Sequence, residues 1–348
     1  MSERRLRVIQ WATGNIGARA LREVIRDPAL ELVGVLVYDD AKDGVDAGTL
    51  AGVKPVGIAA TTDRAAMAKI DADCVLYMPR LFDIEDVVAL LVSGKNVVTT
   101  RGEVFADGQR LGQEQRTRII EACAEGQASI YATGSSPGFI TDVLPLALLS
   151  MQRRVDAIVI DEFADLSQRN SPHMLFRQMG FGQSPDTFDP RRSEFLLGEF
   201  APPMAELASA AARPVDAWSC TGEVARAREA TAIAAGVVEA GTIAAQRTII
   251  TGFCNGDEVI RFTANWYCTD DVEPEWELRP TGWRVRVHGD APFDVDLTFP
   301  VPLEVLGSFT PAYTANRPVN AIAYVCAAAP GILSTADLPP ITPAGIHN

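Results

Sequence analysis

Short apolar segments alternate with longer amphipathic segments over the first 150 residues, and this alternation constrains the fold more than any other feature of the chain. The apolar segments predict strands at residues 5–11, 31–38, 74–78, 96–100 and 128–132. The amphipathic segments predict helices that include 15–26 and 113–125. Because a strand, a helix and a second strand form a right-handed crossover, the sequence predicts an α/β fold with a parallel sheet.

The pattern changes after residue 151, where segments rich in Val, Ile, Thr and aromatic residues dominate. Asn255-Gly256-Asp257 and Gly289-Asp290 are typical of hairpin turns between such strands. We therefore expect an α+β domain with a largely antiparallel sheet over residues 151–309, with helices between about 171 and 210 and strands at 156–163, 230–250, 258–267, 283–288 and 293–299. A predicted helix at 314–328 suggests that residues from about 310 to 348 complete the first domain, 1–150.

Composition excludes several classes of function. The net charge of −14, from 45 acidic and 31 basic residues, argues against nucleic-acid and membrane partners, since both bind clustered positive charge. No lysine follows Lys95, which excludes Schiff-base chemistry in the second half. Six cysteines without C-x-x-C spacing and three histidines predict reduced thiols and no metal site. Since no apolar segment precedes the first strand, we expect no signal peptide and a cytoplasmic protein.

A glycine-containing turn follows the first predicted strand directly, and it reads Ala12-Thr13-Gly14-Asn15-Ile16-Gly17. It matches the dinucleotide fingerprint G-x-G-x-x-G with alanine in place of the first glycine. Gly14 would let the backbone approach a pyrophosphate, and Gly17 would let helix and strand pack closely. An ordinary tight turn is the alternative. The position within a strand–helix–strand unit favours a Rossmann-type domain in which all six residues contact a dinucleotide.

Asp39 ends the second predicted strand, 22 residues after Gly17. A carboxylate at this place accepts hydrogen bonds from the ribose of NAD and repels the 2′-phosphate of NADP. Lys42 lies close enough to weaken that preference, so we expect NAD, with NADP as the open alternative. Tyr38 and Lys42 also match the Tyr-x-x-x-Lys pair of short-chain dehydrogenases, but here they end a strand, and we interpret the match as a coincidence.

Ligands of parallel sheets bind beyond the carboxyl ends of the strands. These ends are followed here by residues 77–80, 99–103 and 132–139. We expect Met78, Pro79 and Thr100 to contact the cofactor. Glu103 stands next to two apolar residues, an environment that disfavours its charged form and suits general acid–base catalysis. A solvated loop glutamate is the alternative.

Several motifs follow one another along nearly the whole chain: Ala12-x-Gly14-x-x-Gly17, residues 37–48, residues 96–103, Gly134-x-x-Pro137-Gly138-Phe139, residues 165–182, Thr314-Ala315-Asn316-Arg317 and Asn320-Ala321-Ile322. In order and spacing they resemble the dihydrodipicolinate-reductase-like superfamily. More closely, they resemble its branch of 2,4-diaminopentanoate dehydrogenase and the native amine dehydrogenases. The resemblance implies NAD(P)-dependent reductive amination of a ketone or aldehyde with ammonia, or the reverse oxidative deamination. It also implies that Glu103 is the catalytic glutamate and that Asn316 contacts the cofactor.

The same resemblance implies a set of substrate contacts: Ser136, Pro137, Phe139, Arg169, His173 and Phe176. Arg169 stands where the amine dehydrogenases carry a tyrosine. Its guanidinium would either receive a substrate carboxylate or pair with a nearby acid such as Asp165 or Glu162. His173 would either touch the substrate or cap a helix. True dihydrodipicolinate reductases match less well, because this chain lacks their adjacent histidines and second-domain lysine.

Three functions stay open at this point. The first is an amine dehydrogenase whose second domain binds substrate and forms a homodimer. The second is a ketone or imine reductase that uses no free ammonia. The third is a non-catalytic nucleotide-sensing protein on the same scaffold.

Overall fold

The computed structural model describes residues 4–187 and 191–343. The chain forms two compact units, one made of residues 4–139 with 309–343 and the other of residues 140–308. Within the described ranges, no helix is long and apolar enough to cross a membrane.

The strands, in chain order, are β1 (Leu6–Trp11), β2 (Leu30–Leu36), β3 (Cys74–Tyr77), β4 (Asn96–Thr99), β5 (Ser129–Ala132), β6 (Val155–Asp165), β7 (Ala217–Ala227), β8 (Thr231–Ile233), β9 (Gly236–Val238), β10 (Ile243–Cys254), β11 (Asp257–Tyr267), β12 (Val272–Glu273), β13 (Gly282–Gly289), β14 (Phe293–Thr298) and β15 (Gly331–Leu333).

The α-helices are α1 (Asn15–Arg26), α2 (Ala47–Ala51), α3 (Arg64–Lys69), α4 (Ile84–Val92), α5 (Phe105–Gly108), α6 (Gly112–Gly126), α7 (Leu144–Leu149), α8 (Arg191–Ala210) and α9 (Leu303–Ala327). Short 3₁₀ turns form at Asp40–Lys42, Gly102–Val104, Gln109–Leu111, Pro185–Thr187 and Thr335–Asp337. Wider helical turns form at Ser135–Val143 and His173–Met179.

The first unit is built on a six-stranded sheet in the order β15-β5-β4-β3-β1-β2, and all of its strand pairs are parallel. Successive side chains of β1 point to opposite faces, so Val8 and Ile9 enter two separate apolar clusters. Both faces are therefore buried, as in other parallel sheets covered by helices. The strand order reverses at β1, which places the ligand-binding crevice at the carboxyl ends of β1 and its neighbours.

The second unit is built on a seven-stranded sheet in the order β12-β7-β10-β11-β6-β13-β14. Only β6 and β11 run parallel to each other among its pairs in the described residues. Helix α8 packs on one face, where Phe200 stacks on Phe262 with ring centroids 4.0 Å apart. Hydrophobic burial between this helix and the sheet forms the core of the unit.

The predicted α/β fold, with a Rossmann-type parallel sheet and a second domain with a largely antiparallel sheet, is confirmed. Residues 230–250 form three strands rather than one, because Gly236 and Gly241 take the left-handed region, with φ of 145° and 78°, and turn the chain. Helix α9 begins at Leu303 rather than at 314. Strands β7 and β15 were not predicted, and β15 extends the parallel sheet by pairing with β5.

Candidate cofactor and catalytic site

The fingerprint turn brings the start of α1 very close to the end of β1. Ala12 has a φ of 74°, in the left-handed region that a glycine adopts without strain. Its amide donates to the carbonyl of Leu36 at 2.9 Å, and its own carbonyl accepts from Nε2 of buried Gln10 at 2.9 Å. A Cβ built on Gly17 would lie 2.2 Å from that same Ala12 carbonyl oxygen. Gly17 is therefore required for the packing of this helix.

The N-terminus of α1 is open to an anion. Gly14 is its N-cap, no side chain caps the helix, and its first turn carries no acidic residue. The first amides of a helix, here those of Asn15 and Ile16, lack intrahelical acceptors. A Cβ on Gly14 would meet no atom within 4 Å, so there is open space beside the turn. Free amides, a positive dipole end and an unobstructed backbone together fit a pyrophosphate.

The residues after β2 connect to this turn. The Oδ1 atom of exposed Asp39 accepts from the amide of Ala41 at 3.0 Å. The ammonium of Lys42 donates to the carbonyl oxygen of Thr13 at 3.0 Å, which fastens the end of β2 to the fingerprint turn. The hydroxyl of Tyr38 instead accepts from Nε1 of Trp11 at 3.0 Å. Tyr38 and Lys42 thus have separate partners.

The other predicted cofactor contacts of the first unit lie after the adjacent strands β3 and β4 and on helix α9. Met78 and Pro79 are buried after β3, and half-buried Thr100 follows β4. Asn316 is an exposed residue of α9. The next residue, Arg317, donates to Oγ1 of Thr133 at 3.1 Å, directly after β5. This contact was not predicted, although Arg317 belongs to a motif of the resemblance.

The turn after β5 contains the predicted residues Ser136, Pro137 and Phe139. Oγ of Ser136 is buried without a hydrogen-bond partner, and the Ser136–Pro137 peptide bond is cis. The amide of Phe139 donates to the carbonyl of Gly134 at 2.9 Å. Oγ of Ser135 lies 2.6 Å from Oγ1 of Thr314, so helix α9 also contacts this turn. The orphaned hydroxyl of Ser136 is a polar group available to a ligand.

Glu103 lies in the 3₁₀ turn after β4 and is paired with an arginine. Nη2 of Arg101 lies 2.6 Å from Oε1 of Glu103, and Nε of Arg101 lies 3.2 Å from Oε2. The third guanidinium nitrogen, Nη1, donates to the carbonyl oxygen of Arg80 after β3 at 3.1 Å. The ion pair with Arg101 was not predicted, whereas the two apolar neighbours that the sequence gives Glu103, Val104 and Phe105, are buried. The glutamate side chain is 20% exposed, so it remains accessible to a substrate.

Arg169, His173 and Phe176 belong to the second unit. Arg169 makes no ion pair with any described residue, and its Nη1 contacts the sulfur of Met174 at 3.4 Å. The nearby acids are engaged elsewhere: Asp165 accepts from the amide of Ser167, while Glu162 accepts from two indoles, Trp266 at 3.0 Å and Trp283 at 2.9 Å.

The pairing of Arg169 with Asp165 or Glu162 is therefore excluded. Arg169 is an exposed residue, although desolvation of its guanidinium lowers the pKa of Arg169 from its usual value. His173 is exposed at the start of its helical segment, and the ring of Phe176 packs against the backbone of Gly182 and Gly236.

The part of the chain that the structure describes contains no group of three or more His, Cys, Asp or Glu side chains able to hold a metal ion. All six cysteines are free thiols.

Comparison with known proteins identifies relatives over most of the chain. A family model described as the 2,4-diaminopentanoate dehydrogenase C-terminal domain matches residues 139–348. An amine dehydrogenase from Streptomyces virginiae is 29% identical over 350 residues, which cover 95% of this chain and 95% of that protein.

Two solved structures share the fold. The amine dehydrogenase from Mycobacterium smegmatis has a TM-score of 0.76 at 17% identity and covers 97% of each chain. GenD2 from gentamicin A biosynthesis, in complex with NAD, has a TM-score of 0.50 at 16% identity, covering 92% of this chain and 87% of that one.

The family match spans more than half of the chain, and it confirms the resemblance seen in the motifs. The chain therefore belongs to the 2,4-diaminopentanoate dehydrogenase family of oxidoreductases.

Proposed function

We propose that this chain is a nicotinamide-dependent amine dehydrogenase that aminates a ketone or aldehyde with ammonia, or runs the reverse deamination. The observation that carries the proposal is the sharing of one sheet edge by two features. An uncapped helix N-terminus follows β1, and Glu103 follows β4, with only β3 between these strands. The S. virginiae relative named amine dehydrogenase supports the choice of reaction.

The cofactor would be held by the turn from Ala12 to Gly17 at its pyrophosphate and by Asp39 at its ribose. Met78, Pro79, Thr100 and Asn316 are the further proposed contacts. A nicotinamide coenzyme, when bound, supplies or accepts the hydride at C4 of its ring. We propose that the unit containing β1–β5 binds the dinucleotide and that the second unit binds the substrate. Free thiols, which are typical of reducing compartments, fit the proposed cytoplasmic location.

Glu103 would serve as the proton carrier. In amination, its carboxylate takes a proton from the nitrogen that adds to the carbonyl carbon and passes this proton to the carbonyl oxygen, which gives a neutral carbinolamine. The carboxylate then takes up a second proton from solvent or an ammonium ion and gives it to the hydroxyl group, which leaves as water and produces the iminium carbon that accepts hydride. Arg101 holds the carboxylate through two parallel contacts, so it fixes the direction from which the proton moves.

We predict that Glu103→Gln retains NADH affinity but lowers kcat for amination by about 10²–10⁴, the usual contribution of general acid–base catalysis. Glutamine keeps the shape of the side chain but cannot carry the proton. Steady-state rates and isothermal titration with NADH provide the measurement, and Glu121→Gln, on the exposed face of α6, is the matched control. Unchanged turnover in Glu103→Gln would remove this residue from the mechanism.

Ammonium dependence separates the proposal from its rivals. A panel of ketones is incubated with NADH in the presence and absence of ammonium. Turnover that requires ammonium supports the amine dehydrogenase, and equal turnover without it identifies a ketone or imine reductase. Binding of NADH without any turnover identifies the nucleotide-sensing alternative.

We predict that NAD binds more tightly than NADP, because exposed Asp39 would repel a 2′-phosphate and Lys42 is already bonded to Thr13. Asp39→Ser should narrow the difference in affinity, whereas Asp40→Ser, at the adjacent exposed aspartate, should not. Isothermal titration of both coenzymes measures this. Tighter binding of NADP by the wild-type chain would contradict the assignment.

Arg169 is the proposed contact for an anionic group of the substrate, since it has no acidic partner among the described residues. A charge-assisted hydrogen bond contributes about 1.5–3 kcal/mol, so Arg169→Ala should raise KM for keto acids about tenfold or more and leave neutral ketones unaffected. Arg177→Ala, an exposed arginine of the same segment, is the control. Equal changes in KM for matched neutral and anionic ketones would reject this role.

We also infer a homodimer formed through the second unit. Charges of both signs, including Arg286 paired with Asp161, lie along a recess of about 420 Å³ on its sheet. A surface that carries both signs can be complementary to a second copy of itself. Sedimentation should therefore give twice the mass of one chain. A single-chain mass at every concentration would exclude the dimer.

A further inference from the structure

A glutamine occupies a fully buried position of β1, two residues before the alanine that replaces the first glycine of the fingerprint. Gln10 has no exposed surface. Because side chains alternate along a strand, it shares a face of β1 with Val8, which packs in the same apolar cluster as Leu21 of α1. A polar amide in such surroundings is costly unless both its donor and its acceptor form hydrogen bonds.

Only the donor of this amide is bonded. Nε2 of Gln10 donates to the carbonyl oxygen of Ala12 at 2.9 Å and lies 3.5 Å from the carbonyl oxygen of Leu76 on β3. Its Oε1 atom is buried and has no hydrogen-bond partner among the described residues. Methionine would fill a similar volume without an unpaired acceptor. The contact with Ala12 therefore distinguishes glutamine from an apolar residue at this position.

Ala12 is a residue that needs such a contact. Its φ of 74° lies in the left-handed region, which is unfavourable for a residue with a Cβ. The dihedral angles of a residue follow from the orientation of the two planar peptide groups that flank it. The amide of Ala12 donates to the carbonyl of Leu36, and its carbonyl accepts from Gln10. The first bond joins two backbone groups, whereas the second depends on the side chain at position 10.

The same carbonyl oxygen borders the start of α1. A Cβ built on Gly17 would lie 2.2 Å from this oxygen and 3.1 Å from Nε2 of Gln10. Gln10, Ala12 and Gly17 therefore form one close contact between β1 and α1. Since Thr13 and Gly14 follow Ala12 directly, a change in the conformation of Ala12 would displace the free amides at the N-terminus of α1.

We propose that Gln10 is a positioning residue for the coenzyme, because its amide holds Ala12 in a conformation that glycine would adopt without strain. Gln10 is fully buried, so it acts through Ala12 and does not touch the ligand. Its role rests on the proposed function, since it requires a dinucleotide at this turn. Without the contact, the apparent affinity falls by the fraction of molecules whose turn keeps the binding conformation.

The effect of Gln10 on Ala12 is tested without coenzyme. Unfolding in denaturant is compared for the wild-type chain, Gln10→Met, Ala12→Gly and the double variant. Glycine at position 12 should stabilise Gln10→Met more than the wild-type chain, by at least about threefold in the unfolding equilibrium constant. If Gln10→Met does not fold alone, folding of the double variant supports the proposal. Equal stabilisation in both backgrounds, or a double variant that does not fold, would overturn it.

Coenzyme affinity is the measurement that a packing role would not change in this way. In isothermal titration with NADH, Gln10→Met should bind about three- to tenfold more weakly, the contribution of one neutral hydrogen bond. Adding Ala12→Gly should recover most of this loss, whereas it should change the affinity of the wild-type chain by a smaller factor. Gln113→Met, at an exposed residue of α6, is the matched control and should bind NADH as the wild-type chain does.

The results distinguish the role of Gln10 from the proposed function. A wild-type chain that binds neither NADH nor NADPH would overturn both. Undiminished affinity in Gln10→Met, with binding by the wild-type chain, would overturn the role of Gln10 alone. A loss that glycine at position 12 does not recover would also overturn it, because the effect would then come from packing and not from the conformation of Ala12.

Discussion

The close approach of Gly17 to the carbonyl oxygen of Ala12 is the constraint on which the candidate site depends. Since a side chain at 17 would overlap that oxygen, α1 can start this near to β1 only with glycine there. Ala12 adopts a left-handed conformation, which costs about 1–2 kcal/mol for a residue other than glycine. The hydrogen bonds to Gln10 and Leu36 hold it in place. The result is a helix N-terminus at the sheet edge where Glu103 also lies.

The sequence predicts an element of this fold well where the residues that determine the element lie within its own segment, and poorly where distant residues determine it. Helix α1 was predicted at 15–26 and found at Asn15–Arg26, because Gly14 and Pro28 mark its two ends within the chain itself. Strand β15 was missed since its short segment becomes a strand only by pairing with β5, which is distant in sequence. Strand β7 contains Ser, Gly, Glu and Arg, so its composition does not indicate a strand. It becomes a strand because it pairs with β10.

The same distinction applies to the site. The sequence could predict that the turns after β1, β3, β4 and β5 share an edge, because parallel strands all end on one side. It could not predict that Arg101 reaches Glu103, although only Gly102 separates them, since the contact depends on the 3₁₀ turn that both enter. It also could not predict that Glu162 is held by Trp266 and Trp283, because these residues come from neighbouring strands far along the chain. The hydrogen-bond and ion-pair partners of these side chains could therefore be identified only from the structure.

The distribution of charge bears on which substrates the proposed reaction can take. A net charge of −14 gives the protein a negative potential, which attracts ammonium ions and amines and repels keto acids. An anionic substrate has no such attraction and needs a local cation. Arg169 meets that need because no acid among the described residues pairs with it, whereas the arginines along the sheet recess are paired. Salt would weaken the general attraction, since exposed charges are screened beyond about 10 Å at 0.1 M ionic strength.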